Sequence, residues 1–242
     1  MGTSSRNIGR GLNLENRLEK LMLRAAIFDM DGVIVDSHPA HKKSWRKFLK
    51  LQGKEIDEED SNFIMDGRKR EDILRHFLGE LSDEQVRVLG HQKQQLFREE
   101  AADIKAIEGL YDFLQQLSEA EIKLAVASSG SESRVNYVLD SFHLRHYFEA
   151  IVTGDQVTTG KPDPTIFRVA CDHLRVRPSE TLVFEDSVSG VRAAKAAGMR
   201  CVGVATNGVI AILLAAGADH IIPDFSSVSF DLMQRLFERP LV

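Results

Sequence analysis

The sequence predicts an α/β fold, in which a Rossmann-like parallel sheet carries helices on both faces and is interrupted once by an inserted helical-bundle domain. Three observations predict it. Short β-branched apolar runs alternate with helical patterns from Arg24 onward, as repeated strand–helix units do. This alternation stops between Ser37 and Asp103, where the spacing of apolar residues is helical throughout. The 242 residues, 43% of them hydrophobic, suffice for one sizeable core and a small inserted domain.

The predicted sheet is built from apolar runs separated by helical segments. The predicted strands are residues 25–28, 123–127, 150–153, 181–184, 200–204 and, more weakly, 220–222. The predicted helices between them are residues 110–120, 164–173 and 188–197. Asp163 suits the N-cap of the second helix, with Pro164 in its first turn. Ser187 suits the start of the third helix, and Gly198 suits its end.

Residues 37–103 are predicted to form this helical domain. Charged and amide side chains dominate this stretch, and apolar residues recur at helical spacing, as in Trp45, Phe48 and Leu49. Because a crossover between parallel strands is usually far shorter, we favour a separate domain over helices that simply pack on one sheet face. We expect residues 1–23 to be a disordered leader, and residues 24–36 and 104–242 to form the core.

Composition excludes several classes of protein. A net charge of -5 with mixed signs is unfavourable for general nucleic-acid binding. No apolar stretch approaches the roughly 20 residues that a membrane helix needs. The two cysteines, Cys171 and Cys201, form no CxxC motif, so we expect no disulfide framework and a reducing compartment. We therefore expect a cytoplasmic monomer that has no nucleic-acid or membrane partner.

Polar side chains cluster after the predicted strands. They are Asp29, Asp31, Ser128, Ser129, Lys161, Glu185 and Asp186. Because ligands of open α/β sheets bind beyond the carboxyl ends of the strands, we expect these side chains to meet. Crowded carboxylates repel one another unless a cation joins them, and their oxygen atoms suit Mg²⁺. A lysine and a serine hydroxyl suit a phosphoryl group. The set predicts phosphoryl transfer, although any single member alone is equally well explained as a loop-end carboxylate or a helix cap.

Four motifs resemble, in order, those of the haloacid dehalogenase superfamily. They are DMDGVIVDS beginning at Asp29, the strand-end Ser128, GKPDP around Lys161, and FEDSVSG around Glu185 and Asp186. The ordered set is far more specific than any one motif, and it spans nearly all of the chain after the leader. The helical insertion after the first motif resembles the cap domain of the beta-phosphoglucomutase-like branch. The resemblance therefore implies a core of this superfamily with a helical cap.

The resemblance also implies roles for the carboxylates. Asp29 would attack phosphorus and form an aspartyl-phosphate. Asp31 would be the general acid for the leaving oxygen and then the general base for the acceptor. Mg²⁺ would be held by Asp29, the Asp31 carbonyl oxygen and Asp186, with Glu185 at or beside the ion. Dehalogenases resemble this pattern but lack the second aspartate, so Asp31 favours a phosphoryl-transfer enzyme.

By the same resemblance, Ser128, Ser129 and Lys161 would hold the phosphoryl oxygens. The sequence departs from the mutase pattern directly after Ser128. That pattern continues Ala-Ser-Lys and its lysine helps to hold a second phosphate, whereas this chain continues Ser-Gly-Ser-Glu. The missing lysine favours hydrolysis, with water as the acceptor, over a mutase reaction.

Four residues of the insertion look like the positions that close over a sugar phosphate in beta-phosphoglucomutases. His41 and Trp45 share one helix face at i, i+4 spacing. Arg70 follows the Gly67 turn, and Lys93 lies in a later helix. The alternatives are a solvated surface for the two cations and a purely packing role for Trp45.

The sequence thus predicts a Mg²⁺-dependent hydrolase of small phosphomonoesters, a sugar phosphate or similar metabolite, acting through an aspartyl-phosphate. The alternative is a beta-phosphoglucomutase, in which a sugar hydroxyl accepts the phosphate. A remote alternative is a non-catalytic phosphate-binding protein, which the presence of both Asp29 and Asp31 disfavours.

Overall fold

A computed structural model describes residues 22–206 and 209–238 of the chain. The six strands are β1 (Ala25–Phe28), β2 (Lys123–Ser128), β3 (Ala150–Thr153), β4 (Thr181–Glu185), β5 (Arg200–Val204) and β6 (His220–Ile222). They form one sheet in the order β3-β2-β1-β4-β5-β6, and every neighbouring pair is parallel. The predicted fold class is confirmed. The predicted leader lies outside the described residues except for Met22 and Leu23.

The α-helices of the described residues fall into two groups. Those before β2 are α1 (His38–Leu51), α2 (Glu58–Met65), α3 (Arg70–Leu78), α4 (Asp83–Glu100) and α5 (Leu110–Glu119). Those after β2 are α6 (Glu132–Ser141), α7 (Thr165–Leu174), α8 (Val188–Ala196), α9 (Ile210–Ala216) and α10 (Phe230–Leu236). None of these helices combines the length and apolar character needed to cross a bilayer.

Helix α7 begins one residue later than the sequence predicts. Pro164 occupies the N-cap position, and the Asp163 Oδ1 atom accepts a hydrogen bond of 2.9 Å from the Thr165 amide. Ser187 caps α8 as predicted, since its Oγ atom accepts a hydrogen bond of 3.0 Å from the Gly190 amide. The cap before α7 thus comes from the residue that precedes the proline.

Both faces of the sheet are buried, because alternate residues of each strand point to opposite sides. On one face the Phe28 and Phe184 rings stack with their centroids 4.7 Å apart, and Phe113 and Phe225 pack around them. On the other face Ile27 and neighbouring strand residues pack against α7 and α8. The buried centre of the sheet fixes the carboxyl ends of β1, β2 and β4 at one edge.

Helices α1 to α4 pack around their own apolar cluster, which includes Trp45, Phe48 and Leu74. Residues 38–100 contain helices and turns and no strand. Two connecting segments lie side by side, because the Asp36 amide donates to the Lys105 carbonyl oxygen at 2.8 Å. The inserted helical bundle therefore has its own core, while the limits of 37 and 103 stay a prediction.

Candidate active site

The turn after β1 brings the first motif against the fourth. The Asp29 amide donates to the Phe184 carbonyl oxygen at 3.0 Å, which ties the end of β1 to β4. Gly32 has a φ of +74°, and a Cβ atom there would lie 2.2 Å from Asp186 Oδ2. Only glycine allows both this left-handed turn and this close approach. The local sequence therefore places Asp29, Asp31 and Asp186 at one edge of the sheet, as predicted from the strand ends.

Lys161 joins two of the carboxylates. Its Nζ atom donates to Asp29 Oδ1 at 2.6 Å, to the Ala127 carbonyl oxygen at 3.3 Å and to Glu185 Oε1. Burial acts to lower the pKa of the Lys161 ammonium, but the charges of Asp29 and Glu185 outweigh it and raise that pKa. The lysine is thus a fixed positive charge beside the Asp29 carboxylate.

Glu185 is fully buried, and protein groups already engage both of its carboxylate oxygens. Oε1 accepts from Lys161, and Oε2 accepts from the Asp186 amide, the Ser187 amide and the Ser187 hydroxyl, each at 2.9 Å. A Cβ atom at Gly190 would lie 1.8 Å from Oε1, so this glycine gives the carboxylate its room. Direct metal ligation by Glu185 stays a prediction, whereas its contacts give it the role of holding Lys161.

The remaining carboxylates fit a divalent cation. Burial raises the pKa of Asp29 to about 8; Lys161 opposes this, and the nearby charges of Glu185, Asp31 and Asp186 add to it. The oxygen atoms of Asp29 and Asp186 are hard donors that suit Mg²⁺, which typically takes one or two carboxylates together with water and phosphate. No group of three or more histidine, cysteine or acidic residues in the described ranges forms a complete metal cage. A site that water and substrate complete is consistent with that finding.

Asp31 has different surroundings from Asp29. Arg134 Nη1 donates to Oδ1 at 2.8 Å and Nη2 donates to Oδ2 at 2.5 Å, and the Ser37 hydroxyl donates to Oδ1 at 2.5 Å. Burial acts to raise the pKa of Asp31, but the charge of Arg134 outweighs it and holds that pKa well below its ordinary value. Asp31 is therefore held as a carboxylate, with no contact to Lys161 among its hydrogen bonds.

His41 links Asp31 to the cap. Its Nε2 atom lies 3.2 Å from Asp31 Oδ1, and its Nδ1 atom lies 3.0 Å from Lys93 Nζ. Burial lowers the pKa of His41 to about 3, and Lys93 adds to the effect. Burial likewise lowers the pKa of Lys93 well below its ordinary value. A neutral ring that accepts at Nδ1 and donates from Nε2 satisfies both contacts.

The two serines after β2 take different positions. Ser128 Oγ is buried and accepts a hydrogen bond of 3.1 Å from the Gly130 amide. Ser129 Oγ donates to the Gly67 carbonyl oxygen of the cap at 2.6 Å. Ser129 lines the cavity below the cap, whereas Ser128 and Lys161 lie behind its wall.

The cavity between cap and core measures about 80 Å³. The predicted cap residues all line it: His41 and Trp45 from α1, Arg70 from the start of α3 and Lys93 from α4. Trp45 both lines the cavity and packs edge-on against Phe48, with ring centroids 5.7 Å apart. Pockets that hold small molecules usually measure about 300–1,000 Å³, so this space is too small for a metabolite. Entry of a metabolite therefore requires the cap to move.

Sequence analysis missed three cations that line the cavity. Arg134 reaches Asp31 from α6, His38 Nε2 lies 2.9 Å from Asp186 Oδ2, and Arg68 lies in the turn before α3. Burial acts to lower the pKa of His38, but Asp186 outweighs it and raises that pKa to about 9. Arg68 and His38 stand next to residues already singled out, so reading each motif's neighbours would have found them. Arg134 carries no such local signal.

Known proteins that resemble this chain belong to the same family that the four motifs indicate. Residues 26–204 match the family model for haloacid dehalogenase-like hydrolases. The chain belongs to this family. The match begins in β1 and ends with β5, so it includes the four motifs and the inserted helices. The resemblance drawn from those motifs is confirmed.

Relatives in this family carry phosphatase and mutase names. The chain is 30% identical to validoxylamine A 7'-phosphate phosphatase of Streptomyces hygroscopicus, over 86% of this chain and 96% of that protein. It is 36% identical to a phosphorylated carbohydrates phosphatase of Thermotoga maritima, over 73% of this chain and 82% of that protein. The crystal structure of a beta-phosphoglucomutase from Clostridium difficile aligns with a TM-score of 0.79 at 25% identity, over 89% and 97% of the two chains.

Proposed function

We propose that this chain is a Mg²⁺-dependent phosphatase of phosphorylated sugars or similar small phosphomonoesters that acts through an aspartyl-phosphate on Asp29. The observation that carries the proposal is the division between two aspartates two residues apart. Asp29 pairs with the buried Lys161, while Asp31 is held by Arg134 and His41. This division supports attack by Asp29 and proton transfer by Asp31. The names of the two sequence relatives support the same substrate class.

In the proposed reaction, an Asp29 oxygen forms a bond to phosphorus while the bond to the leaving oxygen breaks. Asp31 gives a proton to that oxygen, and then takes a proton from the water that hydrolyses the aspartyl-phosphate. Lys161 remains charged beside Asp29 throughout. Asp29, Asp186 and the Asp31 carbonyl oxygen would hold Mg²⁺, which when bound neutralises charge on the phosphoryl oxygens. Because Arg134 favours the ionised form of Asp31, the acid step requires the guanidinium to move away from that carboxylate.

The second candidate is a beta-phosphoglucomutase, which the structural similarity to the Clostridium difficile protein favours. Its acceptor would be a sugar hydroxyl in place of water. The residue after Gly130 is Ser131 where the mutase pattern has lysine, and this departure still favours hydrolysis. We further propose that the enzyme works as a monomer in the cytoplasm.

A panel of phosphorylated sugars, assayed with Mg²⁺ for release of inorganic phosphate, tests the proposal. Conversion of β-glucose 1-phosphate to glucose 6-phosphate is measured in parallel. We expect phosphate release from at least one sugar phosphate and none with the Asp29→Asn variant. Isomerisation without phosphate release would assign the chain to the mutases, and inactivity on the whole panel would overturn both candidates.

A further inference from the structure

The cap wall of the cavity contains buried donors without acceptors. Three residues that line it each carry a buried side-chain nitrogen with no hydrogen-bond partner among the described residues, namely Arg68 Nε, Arg70 Nε and Gln94 Nε2. Buried polar groups are nearly always hydrogen-bonded, because leaving one unpaired is costly. The two guanidinium nitrogens can only donate, so whatever satisfies them must bring acceptor atoms. These nitrogens therefore point to a ligand rather than to internal packing.

Packing holds both guanidinium groups in place. The Arg70 side chain crosses helix α4 at Gly90, where an added Cβ atom would lie 2.7 Å from Arg70 Nε. Its Nη2 atom donates to Glu71 at 3.0 Å. The Arg68 guanidinium lies over the Phe63 ring, with Cζ 4.4 Å from the centroid. Each arginine is thus supported on one side, while its Nε atom stays unpaired.

Arg68 also has little neutralising charge of its own. The nearest carboxylate is Asp66, whose Oδ2 atom lies 3.5 Å from Arg68 Nη2. That carboxylate already accepts two shorter hydrogen bonds from Ser189, one from its amide at 3.0 Å and one from its hydroxyl at 2.5 Å. Arg68 and Arg70 both line the cavity, and the charge-assisted bonds that guanidinium groups make favour an anion over a hydroxyl.

We propose that Arg68 is a specificity-determining residue, which acts with Arg70 to bind a second anionic group, a carboxylate or a phosphate, on the cap side of the substrate. This inference rests on the proposed function, since it names the class of sugar phosphate that the phosphatase takes. Directly after Gly130, on the core side of the cavity, the chain has Ser131 where the mutase pattern has a lysine. Arg68 supplies a cation from the cap, so the loss of that lysine does not remove the capacity to hold a second anion.

Three compounds of related shape separate the possible ligands. Glucose 6-phosphate has no second anion, 6-phosphogluconate carries a carboxylate and glucose 1,6-bisphosphate carries a second phosphate. Their binding with Mg²⁺ is measured by calorimetry on the Asp29→Asn chain, which prevents turnover, with and without Arg68→Gln. We expect Arg68→Gln to lower the affinity for the tighter-binding anionic compound about 10–100-fold, as loss of a charge-assisted hydrogen bond does. The affinity for glucose 6-phosphate should fall less than about threefold.

Two further variants serve as controls. Arg68→Lys keeps the positive charge and should recover part of the lost affinity for the anionic compound. Arg75→Gln removes an exposed arginine of helix α3 that lies outside the cavity, and should match the unsubstituted chain. Thermal unfolding of each variant shows whether the fold is intact.

The outcomes separate this inference from the proposed function. Equal losses of affinity for all three compounds, or no loss of affinity at all, would overturn the role of Arg68 even if the enzyme releases phosphate. That role is also overturned if the unsubstituted site binds neither anionic compound more tightly than glucose 6-phosphate. Failure of the unsubstituted chain to release phosphate from any of the three would count against the proposed function instead.

Discussion

Two aspartates of one motif, Asp29 and Asp31, have pKa values that their surroundings shift in opposite directions. Burial and neighbouring carboxylates raise the pKa of Asp29, whereas the guanidinium of Arg134 outweighs burial and lowers the pKa of Asp31. The difference arises because Arg134 on α6 faces Asp31, whereas other carboxylates lie near Asp29 and the charge of Lys161 opposes them. These shifts run opposite to the proposed roles, since attack needs Asp29 ionised and the acid step needs Asp31 protonated. Binding of Mg²⁺ would favour ionised Asp29, and movement of Arg134 away from Asp31 would let that carboxylate take up its proton.

Replacing the two aspartates should therefore have different results. Asp29→Asn should abolish turnover, because it removes the attacking oxygen. Asp31→Asn should slow hydrolysis of sugar phosphates by about 10²–10⁴-fold, the usual contribution of a proton-transfer group. With p-nitrophenyl phosphate, whose leaving group needs little acid assistance, Asp31→Asn should accumulate phospho-enzyme. Acid quenching followed by mass spectrometry measures it, and covalent phosphate on the Asp29→Asn chain would refute the assignment.

His41 should make stability depend on pH. It is enclosed by Asp31, Lys93 and Arg134, and its pKa falls from 6.5 to about 3 in the folded chain, chiefly through burial. The folded state therefore lacks a proton that the unfolded state binds below pH 6.5. The contribution of His41 to the free energy of unfolding is therefore present above pH 6.5 and is lost as the pH falls. The loss is about 1.4 kcal/mol for each pH unit.

Chemical denaturation at several pH values between neutrality and mild acid tests this expectation. The free-energy gap between the wild-type chain and His41→Gln should shrink steadily as the pH is lowered, because glutamine cannot bind the proton. His91→Gln, at an exposed histidine on α4, is the matched control. A gap that stays constant with pH would mean that His41 is charged in the folded chain.

At the scale of elements, the turn between α2 and α3 fastens the cap to the core. We call Asp66, Gly67 and Lys69 the cap latch. Asp66 accepts two hydrogen bonds from Ser189 at the start of α8, and the Gly67 carbonyl oxygen accepts one from Ser129. Lys69 Nζ donates to the Val157 carbonyl oxygen at 2.8 Å. These contacts must break before the cap can admit a substrate.

Asp66→Ala should raise the fraction of molecules with an open cap. Loss of hydrogen bonds to a charged group is worth roughly 1.5–3 kcal/mol, which corresponds to at least about tenfold in the opening equilibrium. Trp45, the one tryptophan of the chain, lines the cavity and is 3% exposed, so its fluorescence reports on opening. We expect stronger quenching by acrylamide in Asp66→Ala than in Asp83→Ala, an exposed cap residue. Identical quenching would show that the latch does not hold the cap.

The parts of the site that could be predicted from the sequence are those that directly follow a strand along the chain. Strand ends followed by polar residues placed Asp29, Asp31 and Asp186 correctly, because parallel strands bring their carboxyl ends together. Arg134 was not predictable, since it meets Asp31 across 103 positions of sequence and only through the packing of α6. Gly130 gives Arg134 its path, as a Cβ atom there would lie 2.5 Å from Nη2. A glycine shows that something passes close by, but not which side chain it is.

At the scale of the whole molecule, the residues proposed for the chemistry and those proposed for substrate choice lie in different apolar units. Asp29, Lys161 and Asp186 stand on the sheet, whose two faces carry their own buried clusters. Arg68 and Arg70 stand on the helical bundle, which packs around a third cluster. The two units are joined by two connecting segments that lie side by side, and they also touch through the cap latch. Such a division lets the bundle move without disturbing the residues that carry the reaction.

This division predicts that Mg²⁺ stabilises the sheet more than the cap. The expected ligands all lie on the sheet, and a ligand at about 100 times its Kd stabilises what it binds by about 2.7 kcal/mol. Hydrogen exchange should therefore slow at amides of β1 and β4 when Mg²⁺ replaces EDTA, with a smaller change at Phe48 and Leu74 in the cap. EDTA should abolish turnover, and Asp186→Asn should remove the Mg²⁺-dependent protection while leaving the cap amides as they were. Full activity in EDTA, or equal protection of both units, would contradict a metal site on the sheet alone.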